Sequence, residues 1–306
     1  MRPRLTALIA AIAFAAVTVA AGCGSSNNST TTGGATLTAT PGITQQADQS
    51  IVAKLPASVK SSGELTVAAD ATYPPDEFIG SGSKAVIGMD ADLANAIAGL
   101  MGLKASVQNV TFDSIIPGLA AGKYDLGISS FTDTLDREKV VDFVDYLTAG
   151  TSVFAKASGG PDITSLDELC GHTIAAEKGT TQQDQISKQD TKCKSEGKPG
   201  VTPAIFETQS EVNLALSSGR ADAAMADTPV AAYIVEKSNG QFKLTSGPIP
   251  PEPYGIAIPK NSGMTQPVFD AIKALMDNGT YKKILAYWGL SDGAIAAPTI
   301  NHGVAG

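Results

Sequence analysis

Short apolar runs alternate with helical patterns through the middle of the chain. Glu64–Ala69 has the apolar character of a buried strand, and residues 92–101 place their apolar side chains on one helical face. A second unit follows, with strands predicted over 105–110 and 124–129 and a helix between them. This alternation of strand and helix predicts a mostly parallel sheet with helices on both faces.

The same alternation restarts after residue 150. Strands are predicted over 172–177, 201–206 and 221–225, and helices over 166–169, 181–188 and from about Pro229. Thr208 and Glu211 have the spacing of a capping box, which predicts one more helix start. These elements indicate a second lobe.

The C-terminal part begins with a proline-rich segment, 248–254, which holds too many prolines for a central strand. We expect it to cross back to the first lobe and to lead into a strand over 255–258. Helices are predicted over 267–276 and 280–288, and the residues after them are expected to form a loose tail.

Together these patterns predict an α/β protein with two mostly parallel sheets joined by a two-strand hinge. Lobe 1 is expected to comprise residues 61–150 and 251–290, lobe 2 residues 151–250, and the tail residues 291–306. Ligands of open α/β sheets bind outside the carboxyl ends of the strands. The crevice between the lobes is therefore the predicted binding site, and hinge closure would bury the ligand.

The first 22 residues have the pattern of a signal peptide, with two arginines, an apolar run and small residues before Cys23. This arrangement resembles the lipobox of bacterial lipoproteins, whose cysteine carries a diacylglycerol and becomes the mature N-terminus. An ordinary cleaved signal and a transmembrane helix of marginal length are the alternatives. Residues 23–50 are rich in Ser, Thr, Asn and Gly, which predicts a lipidated Cys23 followed by a flexible tether.

Composition narrows the classes of function. Of the 306 residues, 43% are hydrophobic and 17% charged, which allows a sizeable buried core and disfavours a disordered chain. The formal net charge of -8 disfavours nucleic acid as a partner, because phosphate binding needs clustered Lys and Arg. His172 and His302 have no partner at metal-ligand or triad spacing, so we predict no metal and no cofactor.

Cys170 and Cys193 are the two cysteines after Cys23. A pair of cysteines in an exported chain predicts a disulfide. Redox or metal roles for two isolated cysteines are weaker alternatives.

Arg137 and Arg220 are the two arginines outside the leader. Arg137 follows a strand and a run of hydroxyl-bearing residues, and its guanidinium can clamp a carboxylate with two parallel hydrogen bonds. A surface ion pair with Asp136 or Glu138 is the alternative.

Candidate ligand residues also follow the strands of the second lobe. Thr180 and Thr181 lie between a strand and a helix, where free N–H groups and the helix dipole favour an anion. A helix N-cap is the common alternative for either threonine. Asp227 follows an apolar strand, which makes its charge available to a ligand ammonium unless it caps the next helix.

In lobe 1, the aromatic rings of Tyr73 and Phe112 follow strands and can enclose a side chain or a cation. Either ring is more often part of a core. Asp70, Asp76 and Glu77 cluster beside Tyr73, where they can pair with a basic group or form a solvated loop.

These residues belong to a longer series of motifs in a fixed order. The motifs are AADATYPP at 68–75, GMDADL at 88–93, FDSIIPGL at 112–119, GKYD at 122–125, ISS at 128–130, Arg137, GTTQ at 179–182, GRADA at 219–223, PYGIA at 253–257 and GTY at 279–281. In this order they resemble the amino-acid-binding proteins of bacterial ABC importers, solute-binding family 3. The pattern is similar to that of histidine-binding and lysine/arginine/ornithine-binding members, and it spans about residues 65–290.

The resemblance implies a role for each candidate. Arg137 would clamp the α-carboxylate of an amino acid with help from Thr132 and the amide of Thr181, and Asp227 and the Ser130 carbonyl would hold the α-ammonium. The ligand side chain would be surrounded by Asp70, Tyr73, Phe112 and Ser129. Arg220 falls in a structural motif.

Two departures from the family pattern stand out. Asp76 replaces a common Phe, which favours a cationic or strongly polar ligand, and Leu135 and Asp136 replace a common Pro-Glu before Arg137, which changes only the loop.

The implied function is capture of a polar or cationic amino acid and its delivery to an ABC-transporter permease. The resemblance implies a monomer, lipid-anchored at the outer face of the cytoplasmic membrane or located in the periplasm. Alternatives are a dehydratase or lyase on the same scaffold, with Glu77 or Asp76 as the acid, and a sensor protein that presents its ligand to a receptor.

Overall fold

The computed structural model describes residues 38–245 and 249–305. The predicted signal peptide, Cys23 and most of the predicted tether lie outside the described residues. No helix within the described residues is long and apolar enough to span a membrane.

Helices and strands alternate along the chain. The helices are α1 Gln49–Val52, α2 Ala57–Ser62, α3 Met89–Leu100, α4 Phe112–Ala120, α5 Thr181–Ser195, α6 Gln209–Ser218, α7 Thr228–Lys237, α8 Thr265–Asp277 and α9 Thr280–Trp288. The strands are β1 Glu64–Ala69, β2 Thr72–Tyr73, β3 Glu77–Ile79, β4 Val86–Ile87, β5 Lys104–Asn109, β6 Leu126–Gly127, β7 Val141–Ala149, β8 Thr151–Lys156, β9 Thr173–Glu177, β10 Thr202–Phe206, β11 Ala223–Asp227, β12 Phe242–Leu244, β13 Glu252–Pro259 and β14 Ala294–Ile300.

Lobe 1 is built on a sheet whose described strands lie in the order β14-β7-β13-β6-β1-β5. The strand β1 pairs in parallel with β5 and β6, whereas β13 pairs antiparallel with β6 and β7. Apolar side chains of α3, α8 and α9, including Leu93, Ile272 and Ile284, are fully buried in its core. Strands β2, β3 and β4 form a small separate sheet.

Lobe 2 is built on a second sheet, in the order β10-β9-β11-β8-β12. The strand β9 pairs in parallel with β10 and β11, and β8 pairs antiparallel with β11 and β12. Two apolar clusters cover its faces, one around Phe154 and Val212 and the other around Ile174 and Ile186.

The two-lobed α/β architecture is confirmed, but both sheets are mixed rather than mostly parallel. The long strands β7 and β8, which meet at Gly150 and join the lobes, have no counterpart in the predicted elements.

The prediction that 248–254 avoids a central strand is also wrong, because β13 begins at Glu252 and includes Pro253. Pro253 pairs with Thr148 of β7, whereas β6 meets β13 further along, at Ala257. On the other side of β13, Pro253 faces the chain at Asp133, whose amide donates to the Pro253 carbonyl, so the missing proline N–H interrupts no regular strand pairing there.

Both ends of the folded part extend beyond the predicted limits. The expected loose tail is wrong for residues 294–300, which form β14 and pair antiparallel with β7. The predicted tether is too long, because Thr40 donates from its amide and hydroxyl to Asp92 Oδ2, at 2.8 and 2.5 Å. Trp288 Nε1 donates to the same oxygen at 2.8 Å, so Asp92 ties the N-terminal segment to α9.

The predicted disulfide between Cys170 and Cys193 is confirmed, with a Cα–Cα distance of 5.8 Å. The two cysteines are 23 residues apart. Cys193 lies near the end of α5, roughly 18 Å along the helix axis from Thr181 at about 1.5 Å per residue. The bridge is therefore remote from the crevice end of this helix.

Replacing both cysteines with serine is expected to lower the free energy of unfolding by about 3 kcal/mol, because a cross-link over a loop of this size restricts the unfolded chain. Ligand affinity should change less than about twofold. Thermal unfolding and titration calorimetry on the double variant check both points, and a large loss of affinity at unchanged stability would contradict them.

Candidate functional site

A narrow crevice lies between the lobes, at the carboxyl ends of strands from both sheets. Every ligand residue predicted from the sequence lines it except Asp76. The lining residues are Asp70, Tyr73, Phe112, Ser129, Ser130, Thr132, Arg137, Glu177, Thr180, Thr181, Gln182 and Asp227.

Arg137 lies in the crevice beside a stacked pair of aromatic rings, whose centroids are 4.5 Å apart. Its guanidinium carbon is 5.4 Å from the ring centroids of both Phe112 and Phe131. Nη1 donates to the Thr132 carbonyl at 2.7 Å, and Nη2 crosses to lobe 2 and donates to the Gly179 carbonyl at 2.9 Å. Burial lowers the pKa of Arg137 to about 10, so the group stays cationic at neutral pH.

The two acidic residues considered as alternative ion-pair partners of Arg137 bind other groups. Asp136 binds Lys139 Nζ at 2.6 Å, and Glu138 Oε1 accepts the Gly303 amide at 2.8 Å. Arg220 has a structural position, over the ring of Phe206 at 5.3 Å.

Lobe 2 presents the N-terminus of α5 to the crevice. Gly179 has a φ of +79°, a left-handed conformation that turns the chain from β9 into the helix. Thr180 is the N-cap, and its hydroxyl accepts the amide of Gln183. Thr181 is the first helical residue, where backbone N–H groups favour an anion. The helix-cap interpretation is thus correct for Thr180, which lines the crevice as well.

Asp227 ends β11 and occupies the N-cap position of α7, but its side chain makes no capping bond there. Instead, Tyr73 Oη donates to Oδ2 at 2.9 Å across the lobes, and Gln182 Nε2 donates to Oδ1 at 2.9 Å. Burial raises the pKa of Asp227 to about 6, against the opposing effect of the hydrogen bond from Tyr73 and the charge of Arg137. Asp227 therefore carries a negative charge at neutral pH, although it is buried, with only 6% of its surface exposed.

Asp70 and Glu177 form an acidic pair across the lobes. Asp70 accepts the Phe112 amide at 3.0 Å and the Thr72 hydroxyl at 2.7 Å. Burial and the charge of Asp70 raise the pKa of Glu177 well above its usual value, and no donor among the described residues reaches the buried Glu177 Oε1. Two buried carboxyl groups side by side favour a cation between them.

Glu177 and Gln182 line the crevice without having been singled out as ligand residues from the sequence. Glu177 ends a predicted strand one residue before Lys178, in the same position relative to its sheet as Asp227. Its placement at the carboxyl end of a strand could have identified Glu177 as a candidate ligand residue. Gln182 belongs to the GTTQ motif, but only the fold shows that its side chain holds Asp227.

The predicted ligand contact of Asp76 does not fit its position. Asp76 is fully buried behind the crevice, beside Glu77 and Asp90, and accepts the Ser130 hydroxyl at 2.8 Å. Burial and the charge of Asp90 raise its pKa well above the usual value. The crevice draws its acidity from Asp70, Glu177 and Asp227 instead.

No group of His, Cys, Asp or Glu side chains among the described residues is arranged to hold a metal ion.

The sequence comparisons agree with this geometry. Residues 65–291 match the model of the bacterial extracellular solute-binding proteins, family 3. The chain belongs to this family. It is accordingly a solute-binding protein and not an enzyme, so the dehydratase and lyase alternatives are not supported.

Three relatives illustrate the range of the family. The arginine-binding protein ArgT of Corynebacterium glutamicum is 36% identical over 253 residues, which cover 82% of this chain and 83% of that protein. The ABC transporter glutamine-binding protein GlnH of Bacillus subtilis is 33% identical, over 66% of this chain and 72% of that protein. The structure of an ancestral arginine-binding protein bound to arginine superposes with a TM-score of 0.68 at 36% identity, covering 74% of this chain and 98% of that one.

Proposed function

We propose that this family 3 solute-binding protein captures L-arginine, or a closely similar basic amino acid, in the crevice between its lobes. The observation that carries the proposal is the charge pattern of the crevice. Asp70, Glu177 and Asp227 are its acidic groups, and Arg137 is the basic residue among the described lining residues. A ligand with one anionic and two cationic groups complements this pattern.

The two ends of such a ligand have separate partners. Arg137 and the N-terminus of α5 bind the α-carboxylate, and Asp227, oriented by Tyr73 and Gln182, binds the α-ammonium. Asp70 and Glu177 receive the side-chain cation. The rings of Tyr73 and Phe112 enclose the aliphatic part and limit access of water.

Titration calorimetry with matched ligands tests the proposal. L-Arginine is expected to bind about 100-fold more tightly than L-citrulline, which has the same shape but a neutral side-chain end, because a charge pair in a closed site contributes about 3 kcal/mol. L-Glutamine serves as a shorter neutral control. Equal affinity for arginine and citrulline would reject a cationic ligand, and no heat with any amino acid would reject the proposal altogether.

In this proposal the loaded protein delivers its ligand to an ABC-transporter permease, acts as a monomer, and is held at the outer face of the cytoplasmic membrane by lipid on Cys23. The lipobox-like leader and the extracytoplasmic family support the anchor. In cell fractionation the full chain should sediment with membranes, and a Cys23→Ala variant should be released into the soluble extracytoplasmic fraction. Release of both forms alike would argue against lipidation.

A further inference from the structure

The C-terminal segment of the chain lies outside the family match, which ends at residue 291. After the 3₁₀ turn Ser291–Gly293, β14 pairs with β7, one of the two strands that join the lobes. Asn301 still binds Phe143 of β7, and residues 302–304, the tail, then contact the loop 132–138. This loop connects β6 to β7 and carries Thr132 and Arg137.

The contacts between tail and loop are made mainly by backbone groups, and they run in both directions. The Val304 amide donates to the Asp133 carbonyl at 3.1 Å, and the Leu135 amide donates to the Val304 carbonyl at 2.9 Å. Two further tail amides donate to side chains of the loop. The His302 amide binds Asp133 Oδ2 at 3.1 Å, and the Gly303 amide binds Glu138 Oε1 at 2.8 Å.

The same loop is held on its other side by β13. The Asp133 amide donates to the Pro253 carbonyl at 2.8 Å, and Thr132 forms a β-bridge with Tyr254. Arg137 itself lies on a single 3₁₀ turn, Arg137–Lys139, rather than on a long helix or strand. Its direction therefore depends on how firmly the preceding loop is fixed from both sides.

We propose that the tail, residues 302–304, is a positioning element for the carboxylate clamp, holding the loop 132–138 so that Arg137 points into the crevice. None of the tail residues lines the crevice, so the effect is indirect. The inference rests on the proposed function, because it assumes that Arg137 binds the α-carboxylate of arginine.

Removal of residues 302–306 tests the inference, since the truncated chain keeps β14 and the bond from the Phe143 amide to Asn301 Oδ1. Calorimetry compares L-arginine with agmatine, which is arginine without its carboxylate. Truncation is expected to weaken arginine binding at least tenfold and agmatine binding less than about twofold. A chain lacking only Gly306 is the matched control.

A second variant, Val304→Pro, removes the amide that binds Asp133 while keeping the chain length, and should reproduce the selective loss. An unchanged ratio of arginine to agmatine affinities in both variants, or equal weakening of both ligands, overturns the role of the tail. If the full chain does not bind arginine at all, the proposed function fails first, and the inference fails with it.

Discussion

Replacing Arg137 with alanine is expected to weaken L-arginine binding by about a thousandfold. The α-carboxylate would be buried in the closed crevice without its cationic partner, and truncating one member of a buried ion pair costs about 4 kcal/mol. The variant also loses the bond from Nη2 to the Gly179 carbonyl across the lobes. Titration calorimetry gives the affinity, and thermal unfolding verifies that the variant folds.

Agmatine binding and the Arg137→Lys variant distinguish loss of the carboxylate clamp from general damage to the binding site. Agmatine has no carboxylate, so its affinity should be nearly the same for the native protein and Arg137→Ala. Arg137→Lys keeps the charge but not the two-pronged geometry, and should recover only part of the arginine affinity. Arginine binding within tenfold of the native value in Arg137→Ala would show that the carboxylate lies elsewhere.

Glu177→Gln is expected to have the second largest effect and to change selectivity rather than binding in general. Arginine affinity should fall about 100-fold, because the side-chain cation loses one of its two carboxylates, whereas citrulline affinity should stay within about threefold. The preference for arginine over citrulline would then nearly disappear. Competition between the two ligands, followed by calorimetry, measures it directly.

Glu207→Gln is the matched control for this variant. Glu207 lies on the same lobe and binds Lys178 Nζ at 2.9 Å, but it is solvent-exposed and does not line the crevice. Neutralising it should leave selectivity unchanged. If Glu177→Gln behaves like this control, the cationic end of the ligand is bound by other groups.

Local sequence patterns predicted the helices and strands well where the apolar residues recur with a clear period. β1 and α9 have the predicted bounds, and the capping spacing of Thr208 and Glu211 marks the start of α6, whose Thr208 side chain accepts the Glu211 amide. The strands β7 and β8 were missed although they are almost wholly buried. Asp142 and Asp145 interrupt the apolar run of β7, and their charges are accommodated by partners distant in sequence, Lys260 and Thr299.

The crevice was predicted better than the sheets, because strand ends can be located from sequence and parallel strands converge at one edge. How far below that edge a given side chain lies could not be predicted from the sequence. Asp70 and Asp76 both follow β1, yet one lines the crevice and the other lies behind it, since the turn before β3 directs Asp76 towards Ser130 and Asp90. To tell which of two such neighbouring residues lines the crevice, one must know how α3 packs against the small sheet of β2, β3 and β4.

The position of β13 between β6 and β7 constrains the order in which the exported chain can fold. Lobe 2 is a continuous stretch of sequence inserted into lobe 1, so its sheet can assemble as soon as residues up to Leu244 are available. Lobe 1 must wait for Pro259, because β6 and β7 have no direct pairing and need β13 between them. In a chain made from its N-terminus, the first lobe therefore begins early but can complete its core only after all strands of the inserted lobe are available.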